Sequence, residues 1–191
     1  MRKMAPLNKR IERGTILVAE PFMLDPNFRR AVVIICDYTS DEGTVGFILN
    51  KPIEMKVNEL VADFPEFDAN VHYGGPVATD TIHYIHRSGD ILDDSIKIGE
   101  GMYWGGSFEK LKFLIKSELI KPGDIRFYIG YSGWSTGQLE AEMEIGSWVL
   151  NESHPNYVFK SKHDELWSQT LINKGSTFSV ISQMPDSFNL N

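Results

Sequence analysis

The segment Tyr131–Glu142 carries polar and aromatic residues at spacings that allow them to act together. Gly133 permits a sharp turn after an apolar strand, because glycine tolerates backbone conformations that other residues avoid. Gln138 and Glu142 are four residues apart, so a helix places them on one face, one turn apart. The free N–H groups at a helix start attract anions, and Trp134 supplies an apolar wall. The segment predicts a polar pocket; the alternative is that these residues serve only the turn and its packing.

Neighbouring strand ends and loops supply further candidates. Asn50 ends one predicted strand, Gly74-Gly75 forms a turn, and Asp25 and Arg29 lie in a loop. The charged pair either faces the carboxylates of the pocket or simply closes the loop. The predicted ligand-binding residues are Asp25, Arg29, Asn50, Gly74, Gly75, Trp134, Gln138 and Glu142.

The first functional hypothesis is a non-enzymatic module that binds a small molecule or a protein partner and regulates. A second hypothesis is a hydrolase-like enzyme that uses Glu142 or Asp25 as a general base. No nucleophile accompanies these carboxylates, since Ser132 lacks the Gly-x-Ser-x-Gly spacing of a nucleophile elbow. The catalytic residues therefore stay unassigned.

The sequence argues against nucleotide-binding and metal sites. The chain has neither a phosphate-binding Gly-x-x-x-x-Gly-Lys-Ser/Thr loop nor a Gly-x-Gly-x-x-Gly turn that opens a helix. His83 and His86 lie three apart in a predicted strand, so they point to opposite faces and cannot share an ion. Cys36 is the single cysteine, within an apolar run that predicts a buried strand. We therefore predict no metal and no cofactor.

Charge and hydropathy limit the partners. Residues 1–13 contain five cationic residues and one glutamate, a net +4; with a total of −7, residues 14–191 carry −11. An acidic body repels phosphate, so nucleic acid is not an expected partner and the third hypothesis, a transcriptional regulator, is disfavoured. Neither a signal peptide nor an apolar run of ~18 residues occurs, which predicts a cytoplasmic location without membrane association. The oligomeric state is not indicated.

Hydrophobic periodicity predicts an alternation of strands and helices with hairpins mixed in. The predicted strands are Thr15–Ala19, Ala31–Asp37, Thr44–Leu49, Val71–Tyr73, Thr81–His86, Ile125–Tyr131, Gly146–Leu150 and a short strand or turn at Phe178–Ile181. The predicted helices are Val57–Ala62, Phe108–Leu119 with Ser107 as the N-cap, Thr136–Met143 and Asp164–Ile172. The pattern is not the strict βαβ rhythm of a doubly wound sheet. It predicts a mixed α/β (α+β) sheet flanked by helices, as one domain over residues 14–191 after a flexible basic arm, residues 1–13.

Four stretches together resemble the AlgH/YqgE family of bacterial proteins. They are Gly14–Ala19 followed by Asp25–Arg30, Gly46–Pro52, Tyr73–Val77 and Tyr131–Glu142, in the same order and spacing. The resemblance implies a mixed fold with an irregular, partly barrel-like sheet and no established catalytic activity. Some members carry the label of transcriptional regulator. Cys36 departs from the family pattern, and no role is carried over to it.

Overall fold

A computed structural model of the chain describes residues 10–39 and 41–172. Within these residues the chain forms ten strands and five α-helices. The strands are β1 (Ile16–Ala19), β2 (Val32–Thr39), β3 (Gly43–Ile48), β4 (Pro52–Lys56), β5 (Asn70–Tyr73), β6 (Val77–His86), β7 (Ile96–Gly99), β8 (Met102–Trp104), β9 (Ile125–Trp134) and β10 (Trp148–Asn151). The helices are α1 (Val57–Leu60), α2 (Phe108–Lys116), α3 (Gln138–Glu144), α4 (Pro155–Phe159) and α5 (His163–Ile172).

The strands join into one mostly antiparallel sheet with β9 near its centre. The main path runs β10-β1-β2-β3-β9-β6-β8-β7, and β4 pairs with β5 beside it. β5 lies parallel to β9, with His72 opposite Tyr128, and β3 continues along the same side with Thr44 opposite Trp134. β10 and β7 end the path without pairing to each other among the described strands, so the sheet is not a closed barrel. The predicted mixed α+β fold in a single domain is confirmed.

The apolar run that predicted a buried strand forms β2, which is covered on both faces. Successive side chains of a strand point to opposite faces. Val32, Ile34 and Cys36 accordingly pack in one core cluster, with Phe159 and Trp167 from the helices. Val33 and Ile35 pack in the other cluster, which contains Trp134 and Trp148. This second cluster supports the predicted site.

The structure corrects several predicted boundaries. α2 starts after Ser107, whose hydroxyl accepts from the Lys110 N–H at 3.4 Å, but it ends at Lys116, three residues early. α3 starts two residues late, because Gly137 takes a left-handed conformation with φ 75°. No atom lies within 4 Å of a β-carbon placed on Gly137, so its left-handed backbone, and not a close neighbour, accounts for this glycine. α3 has seven residues, about two turns.

Short elements went unpredicted, namely β4, β7, β8 and α4. Residues 1–9 of the predicted arm and the predicted strand at 178–181 lie outside the described residues. Over residues 10–39 and 41–172, no helix combines the length and apolar character needed to cross a membrane.

Candidate functional site

Glu142 is the centre of a hydrogen-bonded cluster at the start of α3. Its Oε2 atom accepts from the indole N–H of Trp134 at 2.9 Å and of Trp148 at 2.8 Å. Its Oε1 atom accepts from Nε2 of Gln138 at 3.0 Å. Gln138 in turn accepts from the backbone N–H of Ser135 at 3.0 Å. Both oxygens of the carboxylate are thus used, which favours a role in support over one as a general base.

The indoles held by Glu142 form a receptacle for the loop between β1 and β2, residues 20–30, here called the 20–30 loop. Phe28 stacks on Trp134 with ring centroids 6.0 Å apart and meets Trp148 edge-on at 5.4 Å. The two indoles contact each other edge to face at 5.9 Å. They are 4% and 3% exposed, so the receptacle belongs to the core and leaves no open slot between the rings. The aromatic contacts fix Phe28 and with it the C-terminal half of the loop.

Asp25 and Asn27 organise the loop itself. The Asp25 carboxylate accepts from the backbone N–H of Asn27 at 2.8 Å, and its carbonyl accepts from Phe28 and Arg29. The Tyr73 hydroxyl donates to Oδ1 of Asn27 at 3.0 Å. Burial and the charge of Asp25 raise the pKa of Tyr73. These bonds account for Asp25 as a turn former; the Arg29 side chain is exposed on the loop.

Asn50 and the residue after it connect the loop to the sheet. Oδ1 of Asn50 accepts from the Val32 N–H at 2.9 Å, and its Nδ2 donates to the Arg30 carbonyl at 2.9 Å. Nζ of Lys51 donates to the Asn27 carbonyl at 2.6 Å. The amide of Asn50 therefore replaces the strand pairing that the chain loses where the loop enters β2.

The glycine turn holds three strands together. The Gly74 carbonyl accepts from the Ile48 N–H and from the Ser132 hydroxyl, both at 3.0 Å. A β-carbon on Gly74 would lie 2.3 Å from the Gly130 carbonyl oxygen, and one on Gly75 would lie 2.3 Å from the Tyr131 backbone. Gly75 also has φ 152°. Close backbone approach thus explains both glycines.

The structure brings the predicted residues to one end of the sheet. Glu142 contacts both Trp134 and Gln138, and Asp25 and Asn50 make their hydrogen bonds in and beside the 20–30 loop. Two clefts of about 430 Å³ occur elsewhere on the surface, and neither is lined by a predicted residue. Ligand binding by these eight residues remains a prediction.

One of these clefts contains a histidine pair that the sequence did not reveal. Nε2 of His72 on β5 lies 2.8 Å from Nε2 of His163, the first residue of α5. Lys56, Asp68 and Arg126 line the same cleft. The two histidines are 91 positions apart, so no local spacing indicates the pair.

The electrostatics of this cleft keep both rings neutral. Burial, the adjacent His163 ring and Arg126 lower the pKa of His72 to about 3. Burial and Arg126 lower the pKa of His163, against the opposing effect of Asp164. Arg126 itself donates to the carbonyls of Val158 and Phe159 at 3.0 and 3.1 Å. Over the described residues, no group of three or more His, Cys, Asp or Glu side chains is placed to hold a metal.

Other candidate groups are buried. Cys36 is fully buried, and burial raises the pKa of its thiol well above the ordinary value. His86 is 0% exposed, and it accepts from the Ser88 N–H through Nδ1 at 3.1 Å. These features indicate structural roles for both residues.

Comparison with known proteins identifies the relatives of this fold. The AlgH-like family model matches residues 16–179. A UPF0301 protein of Chlorobium luteolum is 43% identical over 183 residues, 96% of each chain, and one of Cytophaga hutchinsonii is 36% identical over 92% of this chain and 96% of its own. The solution structure of AlgH from Pseudomonas aeruginosa has a TM-score of 0.73 at 26% identity, covering 97% of this chain and 98% of that one. A crystal structure of a Corynebacterium diphtheriae protein shares the fold, with a TM-score of 0.76 at 20% identity over 92% and 94%. Since the match in sequence and in fold spans nearly the whole chain, this protein belongs to the AlgH-like family.

Proposed function

We propose that this protein is a non-enzymatic module that binds a protein partner through the tip of the 20–30 loop. The observation that carries the proposal is the exposure of three large apolar side chains, two in the loop and one after α3: Leu24 is 94% exposed, Phe22 67% and Ile145 81%. They are the most exposed large apolar side chains of the described residues. We call these three residues the apolar tip.

Backbone pairing brings the members of the apolar tip to the same end of the sheet. β1 and β10 pair up to Ala19 and Trp148, and the Glu20 N–H extends the pairing by donating to the Ser147 carbonyl at 3.0 Å. Phe22 follows Glu20 by two residues, and Ile145 precedes Ser147 by two. Exposed apolar groups gathered at one place mark interaction surfaces more often than isolated ones do.

The loop behind the apolar tip is organised before any partner arrives. Phe28 packs against two indoles, and Asn27 accepts a hydrogen bond from the Tyr73 hydroxyl. Asn50 accepts from the Val32 N–H where the loop enters β2. A surface that is already ordered loses less conformational entropy on binding. The residues predicted to bind a ligand thus have another role in this proposal, which is to hold the 20–30 loop in place.

The test is a paired set of variants in a binding measurement. Proteins captured by the immobilised chain from a lysate of its own cells are purified and titrated against wild type, Phe22→Ser/Leu24→Ser and Phe113→Ser. Phe113 is a matched control, because it is 63% exposed but lies on α2. We expect the loop variant to weaken binding at least tenfold, the loss of two interface anchors at more than about 1 kcal/mol each, while the control binds as wild type. Equal affinity of the loop variant and wild type for every captured protein would refute the proposal.

A further inference from the structure

We propose that His72 and His163 form a binding site for an exchangeable divalent transition-metal ion, with water in the cleft completing its coordination. This site is separate from the apolar tip and does not depend on the function proposed above.

The first argument is the geometry of the two rings. Their Nε2 atoms approach to 2.8 Å, with ring centroids 4.7 Å apart and planes inclined by 48°. Two nitrogens bound to one ion at ~2.1 Å are about 3.0 to 3.4 Å apart for angles between 90° and 109°. Opening the pair by a few tenths of an ångström therefore admits an ion. His163 is the half-buried partner and can supply that movement, while His72 is fixed at 1% exposure.

The second argument is an unsatisfied atom. Nδ1 of His72 is buried and makes no hydrogen bond among the described residues. Backbone groups of Phe127 and Asn70 raise the pKa of the ring, against the larger lowering by burial. When Nε2 of His72 carries the proton shared with His163, Nδ1 has none, and an unpaired buried polar atom costs about 1–3 kcal/mol. An ion on Nε2 moves the proton to Nδ1, the tautomer that metal-bound histidines adopt with backbone carbonyls.

The third argument concerns charge. Arg126 and Lys56 line the cleft and oppose a metal ion. Glu54 and Asp68 also line the cleft, and Asp164 acts on His163. Counted as formal charges, these three carboxylates exceed the two cations by one, while Arg126 has a larger effect on His163 than Asp164 has. Lys162, next in sequence, is paired with Glu165 at 3.1 Å.

The chemistry of the donors selects the class of ion. Neutral imidazole suits zinc, copper and nickel, whereas magnesium and calcium take oxygen ligands. Burial lowers the pKa of both rings, so each neutral ring can offer one lone pair once the proton between the Nε2 atoms has moved to Nδ1. With two protein ligands the ion exchanges readily, in contrast to a closed four-ligand structural site.

The experiment is a titration of the full, tag-free chain with Ni²⁺ and with Zn²⁺ by calorimetry, alongside imidazole NMR. We expect one ion per chain and Ni²⁺ broadening confined to the resonances of His72 and His163. His163→Asn should weaken binding at least tenfold, since it removes one of two ligands. His154→Asn is the matched control: its ring accepts the Asn156 N–H at the start of α4, a contact that Asn preserves, and otherwise lies beside the Tyr157 ring.

Thermal unfolding of each variant in metal-free buffer confirms that folding is retained. Absence of binding by wild type, binding that His163→Asn leaves unchanged, or equal loss in His154→Asn would each overturn the proposal. Magnesium serves as the hard-ion comparison and should not compete.

Discussion

Replacing Glu142 with alanine removes the acceptor that both indoles of the receptacle share. Trp134 and Trp148 are 4% and 3% exposed, so water does not reach either N–H without rearrangement. A hydrogen bond to a charged group contributes about 1.5–3 kcal/mol. Glu142 is itself half-buried, so water entering the vacated space recovers part of the loss. We expect Glu142→Ala to lower the free energy of unfolding by about 3 kcal/mol, the lower end of the roughly 3–6 kcal/mol that two such bonds would contribute.

Two further variants separate the carboxylate from the mere presence of a side chain. Glu142→Gln keeps one oxygen that accepts from the indoles but turns an amide towards Gln138, so it should cost about 1 kcal/mol. Glu144→Ala, an exposed carboxylate on the same helix, should change the stability by less than about 0.5 kcal/mol. The order of stability is then wild type and Glu144→Ala, Glu142→Gln, and last Glu142→Ala.

Urea denaturation followed by tryptophan fluorescence measures these differences, since two of the four tryptophans lie in the receptacle. Chymotrypsin gives a second readout: if the receptacle holds the 20–30 loop, cleavage after Phe22 or Leu24 should be faster in Glu142→Ala than in Glu144→Ala at equal occupancy of the folded state. If Glu142→Ala and Glu144→Ala unfold at the same urea concentration, the carboxylate does not hold the indoles and the reasoning fails.

Three other expectations concern residues on or next to the strands of the sheet: Gly74, His72 and Cys36. Gly74→Ala should destabilise by about 2–3 kcal/mol, because its β-carbon meets a carbonyl oxygen at 2.3 Å, whereas Gly123→Ala, with open space around it, should be neutral in the same denaturation assay. The pKa of His72 is lower in the folded chain, so the unfolded chain binds more protons at acid pH. The contribution of neutral His72 to the free energy of unfolding is therefore full above about pH 6.5, and it should fall by about 2 kcal/mol by pH 5. Urea titration at both pH values measures the difference. The same urea midpoint at both pH values would contradict the argument that burial lowers this pKa. Cys36 should react with a thiol reagent only as fast as the chain unfolds, and rapid labelling in native buffer would show that its strand opens locally.

An element of the fold can be predicted from the sequence where its own residues contain the periodicity or the capping residue that defines it. β2 is a continuous apolar run, and Ser107 caps α2, so periodicity and capping sufficed for both. β7 and β8 have only four and three residues, and they exist because they pair with each other and with β6. A strand of that length carries no usable periodicity, since its stability comes from partners far along the chain.

The predicted site likewise contains contacts that are local in the sequence and contacts that depend on distant segments. Trp134, Gln138 and Glu142 fall within nine residues, and their contacts follow from the local turn and helix. The role of Phe28 between the indoles was not predicted, because Trp134 and Trp148 come from strands more than 100 residues further along the chain. The pair His72–His163 bridges 91 residues and depends on where α5 returns to β5. Periodicity within a segment cannot indicate such a pair.

β5 places the two proposed surfaces on opposite sides of the molecule, and this makes them separable by experiment. Tyr73 and His72 are adjacent on the strand, so their side chains point to opposite faces. The Tyr73 hydroxyl reaches the 20–30 loop through Asn27, whereas the His72 ring meets α5 in the cleft. Variants of the apolar tip and variants of His163 therefore share no partner, and effects at sites without shared contacts add to a good approximation. α5 also contacts both ends of the loop, since the Trp167 indole N–H donates to the Ala19 carbonyl and the Arg30 guanidinium lies over the Trp167 ring. A change at His163 that altered partner binding would thus have to act through β5 or through α5.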